Sequence, residues 1–385
     1  AIIFVDDAPD GSQAGVSENI IIAPETTTGA GQIAVTNRTD GSNIVTVDFT
    51  NTEDLSVFVN DGSAGDADTL TILGTTDADA ILANLTNAGN DAEPLVDIDS
   101  ATGTQLVQIE NFQVATANAG AVPTLTALPQ LNISTDDGDD TITITGRADG
   151  ATTLNVDAGN PDASDTISLT GTLNANDSYM VSPASSSDAG KIEVQLSGAA
   201  AATRINFVNT EAIDIDAGGG TGNDALTMNG SGNDDSITVD SSANAQVNDG
   251  PVVSFGNTGS TASTITLNGE NGNDAFSIDP LAGIAVTANG GAPTASDSVV
   301  VNISAATAVT GLTIDGATVQ MSGAADVTLA TIEHLAIVGD AGNDALTVNT
   351  PAGVISTTLT PGSTIDSGDV QVASLIPVSF DNLGA

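Results

Sequence analysis

Residues 213–240 read IDIDAGGGTGNDALTMNGSGNDDSITVD, and this segment contains the pattern that recurs along the chain. It opens on an alternating segment in which Ile213 and Ile215 are apolar and the residues that follow each of them are aspartates. After a turn of glycines, Asn and Asp, a second alternating segment places Leu226 and Met228 on one face, and the module then repeats. A period of two predicts β-strands, and glycine readily adopts the positive φ angles of tight turns. The stretch therefore predicts short strands joined by acidic Gly/Asn/Asp turns.

The same module recurs along the chain. Ile142 and Ile167, each following a turn, lie 25 residues apart, and Phe276 and Val299 lie 23 apart. A period near 24 with about three short strands per unit is typical of a parallel β-helix, in which each unit forms one coil. The sequence therefore predicts an all-β protein, a repetitive parallel β-helix or β-solenoid. Tandem β-sandwich domains are the alternative, because they also consist of short strands between turns.

Turn composition divides the chain into two predicted regions. Residues 1–125 form an N-terminal β-repeat region, and residues 126–385 form a β-repeat region with Gly-Asn-Asp turns. The second region ends on residues 376–385, which resemble the opening of another repeat, at 251–255, and stop before its turn. We therefore expect an incomplete repeat at this end, either cut from a longer array or completed by another partner.

Charge and composition exclude several classes of partner. The 385 residues carry a formal net charge of −46 and include only four basic residues. Such a surface cannot neutralise phosphates, which excludes nucleic acid, and no apolar run is long enough to span a membrane. Uncompensated carboxylates oppose compaction unless cations neutralise them. We therefore expect an extracellular or cell-surface protein in calcium-rich or saline surroundings.

The turn at residues 219–226, GGTGNDAL, matches the pattern G-G-x-G-x-D-x-U, in which U is a large apolar residue. In this motif the chain resembles the RTX calcium-binding β-repeat proteins, and its general layout resembles large acidic bacterial β-repeat surface and matrix proteins. The resemblance implies bound Ca²⁺, an ion that accepts six to eight oxygen ligands. The implied ligands are the turn carbonyls of Gly220 and Gly222 and the carboxylate of Asp224. Related turns extend the predicted metal-binding set to Asp140, Asp234, Asp235, Asp274 and Asp344.

A purely structural explanation of these turns stays open, because Gly, Asn and Asp are the residues that tight turns prefer. Glu53, Glu110, Glu211 and Glu333 each precede an apolar strand, where a turn hydrogen bond or a solvent-facing ladder explains them more simply than catalysis. His334 follows Glu333, but neighbours in a strand point to opposite faces. With no nucleophile elbow and no phosphate-binding loop, the sequence predicts no enzyme.

We expect a non-enzymatic extracellular structural protein, a self-assembling subunit of a surface layer, matrix or filament that calcium stabilises. One alternative is an adhesin or ligand-binding repeat region, for which the single Tyr and the absence of Trp offer little sugar-binding surface. The other is a β-helix polysaccharide-active enzyme, for which four scattered basic residues are a poor match to acidic substrates. The predicted partner is another copy joined head to tail, because residues 1–5 and 376–385 both have the composition of internal strands.

Overall fold

The computed structural model is all-β, as the sequence predicts. The described residues contain no α-helix, and so none that is long and apolar enough to cross a membrane. The described residues are 2–6, 18–37, 41–52, 54–60, 69–85, 95–100, 105–116, 124–126, 130–145, 153–160, 164–199, 201–259, 262–292, 296–303, 311–339, 345–353, 356–373 and 375–383.

The strands are short, and in chain order they are β1 Ile2–Asp6, β2 Glu18–Pro24, β3 Gly31–Asn37, β4 Asn43–Phe49, β5 Asp54–Asn60, β6 Thr69–Leu73, β7 Asp79–Asn84, β8 Leu95–Ser100, β9 Gln105–Thr116, β10 Thr124–Thr126, β11 Gln130–Ser134, β12 Thr141–Thr145, β13 Thr153–Asp157, β14 Thr166–Thr170, β15 Ser178–Pro183, β16 Gly190–Gln195, β17 Thr203–Val208, β18 Ala212–Asp216, β19 Ala225–Asn229, β20 Ser236–Val239, β21 Asn244–Val247, β22 Val252–Gly256, β23 Ser263–Asn268, β24 Ala275–Ile278, β25 Ile284–Asn289, β26 Ser298–Asn302, β27 Leu312–Asp315, β28 Thr318–Met321, β29 Val327–Ala330, β30 His334–Val338, β31 Leu346–Val348, β32 Thr357–Pro361, β33 Gly368–Val372 and β34 Val378–Asp381. The three segments predicted within residues 213–240 are confirmed as β18, β19 and β20.

The strands form two long sheets, which we call sheet A and sheet B. Sheet A has 18 strands and sheet B has 16. Sheet B contains β2–β4, β6, β11, β13, β15–β17, β19, β23, β25, β27–β29 and β31, and the other strands belong to sheet A. Through β11, β12, β13 and β14 the chain passes from one sheet to the other at every turn.

Successive strands in one sheet pair in parallel and in register. Leu131 in β11 lies opposite Leu154 in β13, and Thr141 in β12 lies opposite Thr166 in β14. In this part of the chain one strand is therefore added to each sheet per repeat, in place of the expected three short strands per unit. The turns contribute isolated parallel bridges, such as Asn271 to Ala292.

Antiparallel excursions interrupt this parallel pattern. A strand is followed by two neighbours that turn back on it, as in β2–β3–β4, β7–β8–β9, β20–β21–β22, β27–β28–β29 and β32–β33–β34. Both sheets are nevertheless rich in parallel pairs, whereas β-sandwich domains are built from antiparallel sheets. In the last excursion β34, within the predicted incomplete repeat, pairs with β30 on one edge and β33 on the other.

The core is built from small aliphatic side chains on alternate strand positions. In β11 and β13, Leu131, Ile133 and Leu154 are fully buried, while the residues between them are partly exposed. Period-two alternation sends these side chains to one face of each strand. Several described aromatic residues are buried in the same core, and the rings of Tyr179 and Phe255 meet edge to face at 6.2 Å.

The described chain divides into two compact units. Unit 1 comprises Ala1–Gly171 and Asp188–Asp214, and unit 2 comprises Thr172–Ser187 and Ile215–Ala385. The division at residue 125, which was made on turn composition, stays a prediction.

Candidate functional site

Buried aspartates stand at the start of strands in sheet A. In β12, Ile142 points into the core, so Asp140, two residues earlier, takes the same side of the backbone. The sequence thus places a carboxyl group at the edge of the apolar core, directly before the first residue of the strand. Six aspartates in this position are at most 3% exposed: Asp79, Asp140, Asp165, Asp235, Asp274 and Asp297.

In unit 1 these carboxylates form a ladder. The backbone N–H of Asp79 donates to Asp140 Oδ1 at 2.7 Å, and that of Asp140 donates to Asp165 Oδ1 at 2.8 Å. The backbone N–H of Asp165 donates to Glu211 Oε2 at 2.9 Å, and this glutamate ends the series. Each carboxylate therefore satisfies a buried backbone donor of the neighbouring repeat, which would otherwise cost about 1–3 kcal/mol. We call this series the unit 1 ladder.

Unit 2 repeats the arrangement. The Asp235 N–H donates to Asp274 Oδ1 at 2.8 Å, the Asp274 N–H to Asp297 Oδ1 at 2.8 Å, and the Asp297 N–H to Glu333 Oε2 at 2.9 Å. We call this series the unit 2 ladder. Both ladders have three aspartates followed by a glutamate, which is an internal repeat at the level of side-chain chemistry.

A shorter series joins strands of sheet B in unit 2. The Asp177 N–H donates to Asp224 Oδ1 at 3.0 Å, and the Asp224 N–H donates to Ser263 Oγ at 3.0 Å. Asp224, the aspartate of the Gly-Gly-Thr-Gly-Asn-Asp turn, is 1% exposed. Its carboxylate therefore holds the neighbouring repeat through a backbone hydrogen bond.

In several of these residues the second carboxylate oxygen is buried and has no hydrogen-bond partner among the residues that the structure describes. These oxygens are Oδ2 of Asp140, Asp165, Asp224, Asp274 and Asp297, and Oε1 of Glu211. Glycines leave room for them: a Cβ on Gly269 would collide with Asp274 Oδ2, and one on Gly290 with Asp297 Oδ2. The glycine that ends a sheet B strand and the aspartate that starts the next sheet A strand are thus one packing unit.

Burial governs the electrostatics of the ladders. It raises the pKa of Asp165 to about 6, with further increases from the charges of Asp140 and Glu211 and an opposing effect of the Asp140 N–H. Burial likewise raises the pKa of Asp274 to about 6, and the neighbouring Asp297 and Asp235 add to the shift. The pKa values of Asp79, Asp140 and Asp224 are also raised, with burial as the main cause. Burial thus raises the pKa of the three aspartates of the unit 1 ladder, of Asp274 in the unit 2 ladder and of Asp224 in the shorter series.

The predicted metal-binding residues fall into two groups. Asp140, Asp235 and Asp274 are buried ladder members, and Asp224 is a buried member of the shorter series. Asp234 is exposed, and its Oδ1 accepts the Asn273 N–H at 2.8 Å. Asp344 lies outside the described residues. Within the described ranges no three His, Cys, Asp or Glu side chains are grouped as a metal site. The two successive turns that contain Asp224 and Asp235 also lead into different sheets. Asp224 precedes β19 in sheet B, while Asp235 precedes β20 in sheet A.

The predicted turn glycines lie against another turn of unit 2. Gly220 has a φ of +86°, and a Cβ there would collide with the Asn174 side chain. A Cβ on Gly222 would collide with the Ala175 backbone. The Thr221 N–H donates to Asn174 Oδ1 at 3.1 Å, which fixes the approach of the two turns. The glycines are therefore needed for close packing between turns, whether or not their carbonyls also bind an ion.

The turn motif missed three ladder aspartates, Asp79, Asp165 and Asp297, and also Asp177 of the shorter series. None of them follows a Gly-Asn pair, so the turn motif does not detect them. The signal that does find them is an acidic residue directly before, or at the first position of, an alternating strand. Glu211 and Glu333 accept backbone N–H groups from residues 46 and 36 positions away, so their hydrogen bonds join neighbouring repeats and are not the local turn bonds that the sequence suggested. His334 is exposed on β30.

One shallow groove of about 340 Å³ lies at the ends of β11, β13 and β17. Its ionisable lining residue is Asp157, whose Oδ1 accepts the Gly159 N–H at 3.3 Å and the Asn209 amide at 2.7 Å. This carboxylate is engaged in turn contacts of the same kind as those in the ladders.

A scan against protein-family models finds no matching family, and a search of curated proteins finds no match.

Proposed function

We propose that this chain is a non-enzymatic structural protein, a β-solenoid that assembles end to end into an extracellular filament, layer or matrix. The regular passage between sheets supports the solenoid: ladder partners lie 25 residues apart at Asp140 and Asp165 and 23 apart at Asp274 and Asp297. One such coil adds one strand to each sheet, and stacking the coils buries a continuous core. Carboxylate hydrogen bonds between successive coils suit an array that must resist mechanical stress.

The observation that carries the proposal is a pair of exposed strands in the described part of the chain: β4, an edge strand of sheet B, and β32, which pairs with β33. β4 ends sheet B in unit 1, and six of its seven residues are exposed. Its side chains Ile44, Val45 and Val47 are 50%, 46% and 45% exposed. In unit 2 all five residues of β32 are exposed, including Leu359 at 64%. Unpaired backbone groups beside exposed apolar side chains are a template for the addition of another strand.

A second copy of this chain is the partner that these edges fit. The net charge of −46 repels an identical chain over most of the surface. β4 contains one acidic residue, Asp48, and β32 contains none, so the repulsion is weakest at these edges. Joining the edge of one subunit to an edge of the next is a heterologous contact, which propagates instead of closing.

Placing charge on the edge tests this proposal. We expect the double substitution Val45→Glu, Val47→Glu to abolish filaments seen by negative-stain microscopy, because glutamates add repulsion where strands must pair. Circular dichroism should still report the wild-type β-sheet content, since both side chains are half-exposed. The matched control is Leu173→Glu, which charges a 67% exposed apolar residue in a turn. Filaments of unchanged length from the double variant would refute β4 as a connecting strand.

We also propose that calcium stabilises the assembly, on the support of the net charge and of the resemblance of the turns to RTX repeats. Calcium that binds only the folded form stabilises it by mass action. We expect a chelator, at constant ionic strength, to lower the melting temperature. Asp234→Asn should weaken this response, whereas Asp249→Asn, at another exposed turn aspartate, should not. Identical melting with and without chelator would leave these turns a purely structural role.

A further inference from the structure

Sheet B of unit 2 presents a regular outward surface of threonine and asparagine. Thr227 in β19, Thr266 in β23, Thr287 in β25 and Thr328 in β29 lie directly opposite one another in successive strands. A parallel row one step along the strands contains Asn229, Asn268 and Asn289. We call the outward positions of these four strands the threonine face.

The hydroxyl groups of the threonine face are unused. Within the described part of the chain, none of the hydroxyls of Thr227, Thr266, Thr287 and Thr328 forms a hydrogen bond. The adjacent amides, by contrast, bond along their row: Asn268 donates to Asn229 Oδ1 at 2.9 Å and Asn289 to Asn268 Oδ1 at 3.3 Å. Each hydroxyl therefore keeps one donor and two acceptor positions for a partner.

In unit 1, by contrast, the outward polar side chains of sheet B form hydrogen bonds with one another. In its sheet B the corresponding row joins Asn132, Asn155 and Asn206, whose amides bond to one another at 2.8 Å. Asn132 also donates to Thr71 Oγ1 at 3.1 Å. That row satisfies itself within the sheet, whereas the threonine row of unit 2 does not.

The threonine face is also free of charge on a highly acidic chain. The strands β19, β23, β25 and β29 contain no ionisable residue. The acidic residues between 225 and 292 all lie outside these strands, including Asp234, Asp240, Glu270 and Asp279. A surface that approaches this face meets neutral hydrogen-bonding groups, with the carboxylates at the turns.

We propose that the threonine face docks against the threonine face of a second copy and joins assembled filaments side by side. Strand spacing is the same in both copies, so the rows of hydroxyls and amides match along the whole contact, as in paired sheets with asparagine ladders. Threonine is both donor and acceptor, which makes the face self-complementary and the contact isologous. Because this face carries no charge, two copies that meet here avoid the repulsion that the net charge of −46 causes over the rest of the surface.

The size of the face implies that this contact acts only in an assembly. Four strands at about 4.8 Å spacing and about 17 Å long cover roughly 330 Å² per partner, against about 800 Å² per partner in a standard stable interface. Single subunits should therefore separate, while many such contacts along two filaments add by multivalency. The inference thus rests on the proposed end-to-end assembly.

A polysaccharide is the competing partner, and the described aromatic residues disfavour it. Tyr179, Phe255 and Phe276 are all at most 2% exposed, so these rings are not available to stack on sugars. A contact with a second copy uses hydroxyl and amide groups, so it needs no exposed aromatic ring.

The test is to charge the face without touching the edges. We expect wild-type protein to form bundles in negative-stain images, and Thr266→Glu, Thr328→Glu to form single filaments of unchanged length. The two glutamates stand on strands that β25 separates, which limits repulsion within one sheet. The control Thr143→Glu, Thr238→Glu charges outward threonines of sheet A and should still bundle. Bundles from the Thr266, Thr328 variant would overturn the inference, as would equal loss of bundles in the control.

A second measurement separates this inference from the proposed function. If wild-type protein forms no filaments, the proposed function fails. The attraction between subunits can then still be measured, as the second virial coefficient from light scattering in high salt. Stronger repulsion in the Thr266, Thr328 variant than in its control would support the face, and equal values would overturn it. Should glutamate disrupt folding, Thr266→Val, Thr328→Val removes the hydroxyls without charge and should still reduce bundling. Co-sedimentation of wild-type protein with cellulose, lost in the variant while bundling persists, would overturn the inference in favour of a glycan.

Discussion

Acidification from pH 7 to pH 5 is expected to stabilise this protein, the reverse of ordinary acid denaturation. The folded-state pKa values of Asp165 and Asp274 are about 6, above the ordinary value of 3.8. Between these values the native state binds more protons than the unfolded state, so stability falls as pH rises through the window and is fully present below it. Each of these two carboxyl groups should increase the free energy of unfolding by about 1 kcal/mol when the pH falls from 7 to 5.

Other carboxyl groups act in the same direction or outside this window. Burial also raises the pKa values of Asp79, Asp140 and Asp224, which extends the stabilisation toward lower pH. Glu193 behaves oppositely, because its hydrogen bond and ion pair with Lys191, at 2.5 Å, lower its pKa below 4.5. Its contribution is lost only as pH falls below that range.

Urea unfolding at fixed ionic strength, repeated from pH 7.5 to pH 4.5, measures the effect. The free energy of unfolding should increase steadily toward pH 5. Stability that is flat or that falls over this interval would mean that the ladder carboxylates are held ionised, for example by a bound cation.

Replacing Asp274 with asparagine is expected to raise the free energy of unfolding at pH 7.5 by roughly 2–3 kcal/mol. This is the cost of keeping the Asp274 carboxylate ionised at a site where its pKa is about 6 and not 3.8. The amide keeps an oxygen that can accept the Asp235 N–H, now at 2.8 Å from Oδ1, and removes a charge buried to 1% exposure. At pH 4.5 the gain should shrink, because the wild-type carboxyl is then neutral.

Two further variants separate charge from hydrogen bonding. Asp274→Ala removes the acceptor as well, so it should be less stable than Asp274→Asn by about 1–3 kcal/mol at either pH. Asp249→Asn changes an exposed turn aspartate in the same unit and should alter stability little. A destabilised Asp274→Asn at pH 7.5 would show that the folded protein uses the charge of Asp274, which would favour a cation at the ladder.

The strand pattern was predictable because it is local. Alternation in Ile213, Ile215, Leu226 and Met228 reflects which side chains face the core, and all four residues are buried. The repeat length was predictable for the same reason, since each strand and turn leaves its own mark on the sequence. The number of strands per repeat was not, because a turn with a single bridge and a short strand have similar composition.

The role of the aspartates depended on contacts that no local pattern contains. The Gly-Asn-Asp turns marked Asp224 and Asp274 as special but left a metal ligand and a turn residue equally open. Tertiary structure brings the partners of these carboxylates from 61 residues away at Asp79 and Asp140 and from 47 away at Asp177 and Asp224. Excursions such as β7–β8–β9 make these separations irregular, so that counting along the chain does not find the partner.

The sequence by itself thus determined the all-β class, the period and the charge, because these follow from residue type and from the alternation of neighbours. Tertiary structure alone decided which backbone N–H each aspartate accepts, which outward rows satisfy themselves and which strands lie at an edge. The physical reason is that a hydrogen bond between repeats depends on the stacking order of the strands, and stacking order is a property of the whole chain.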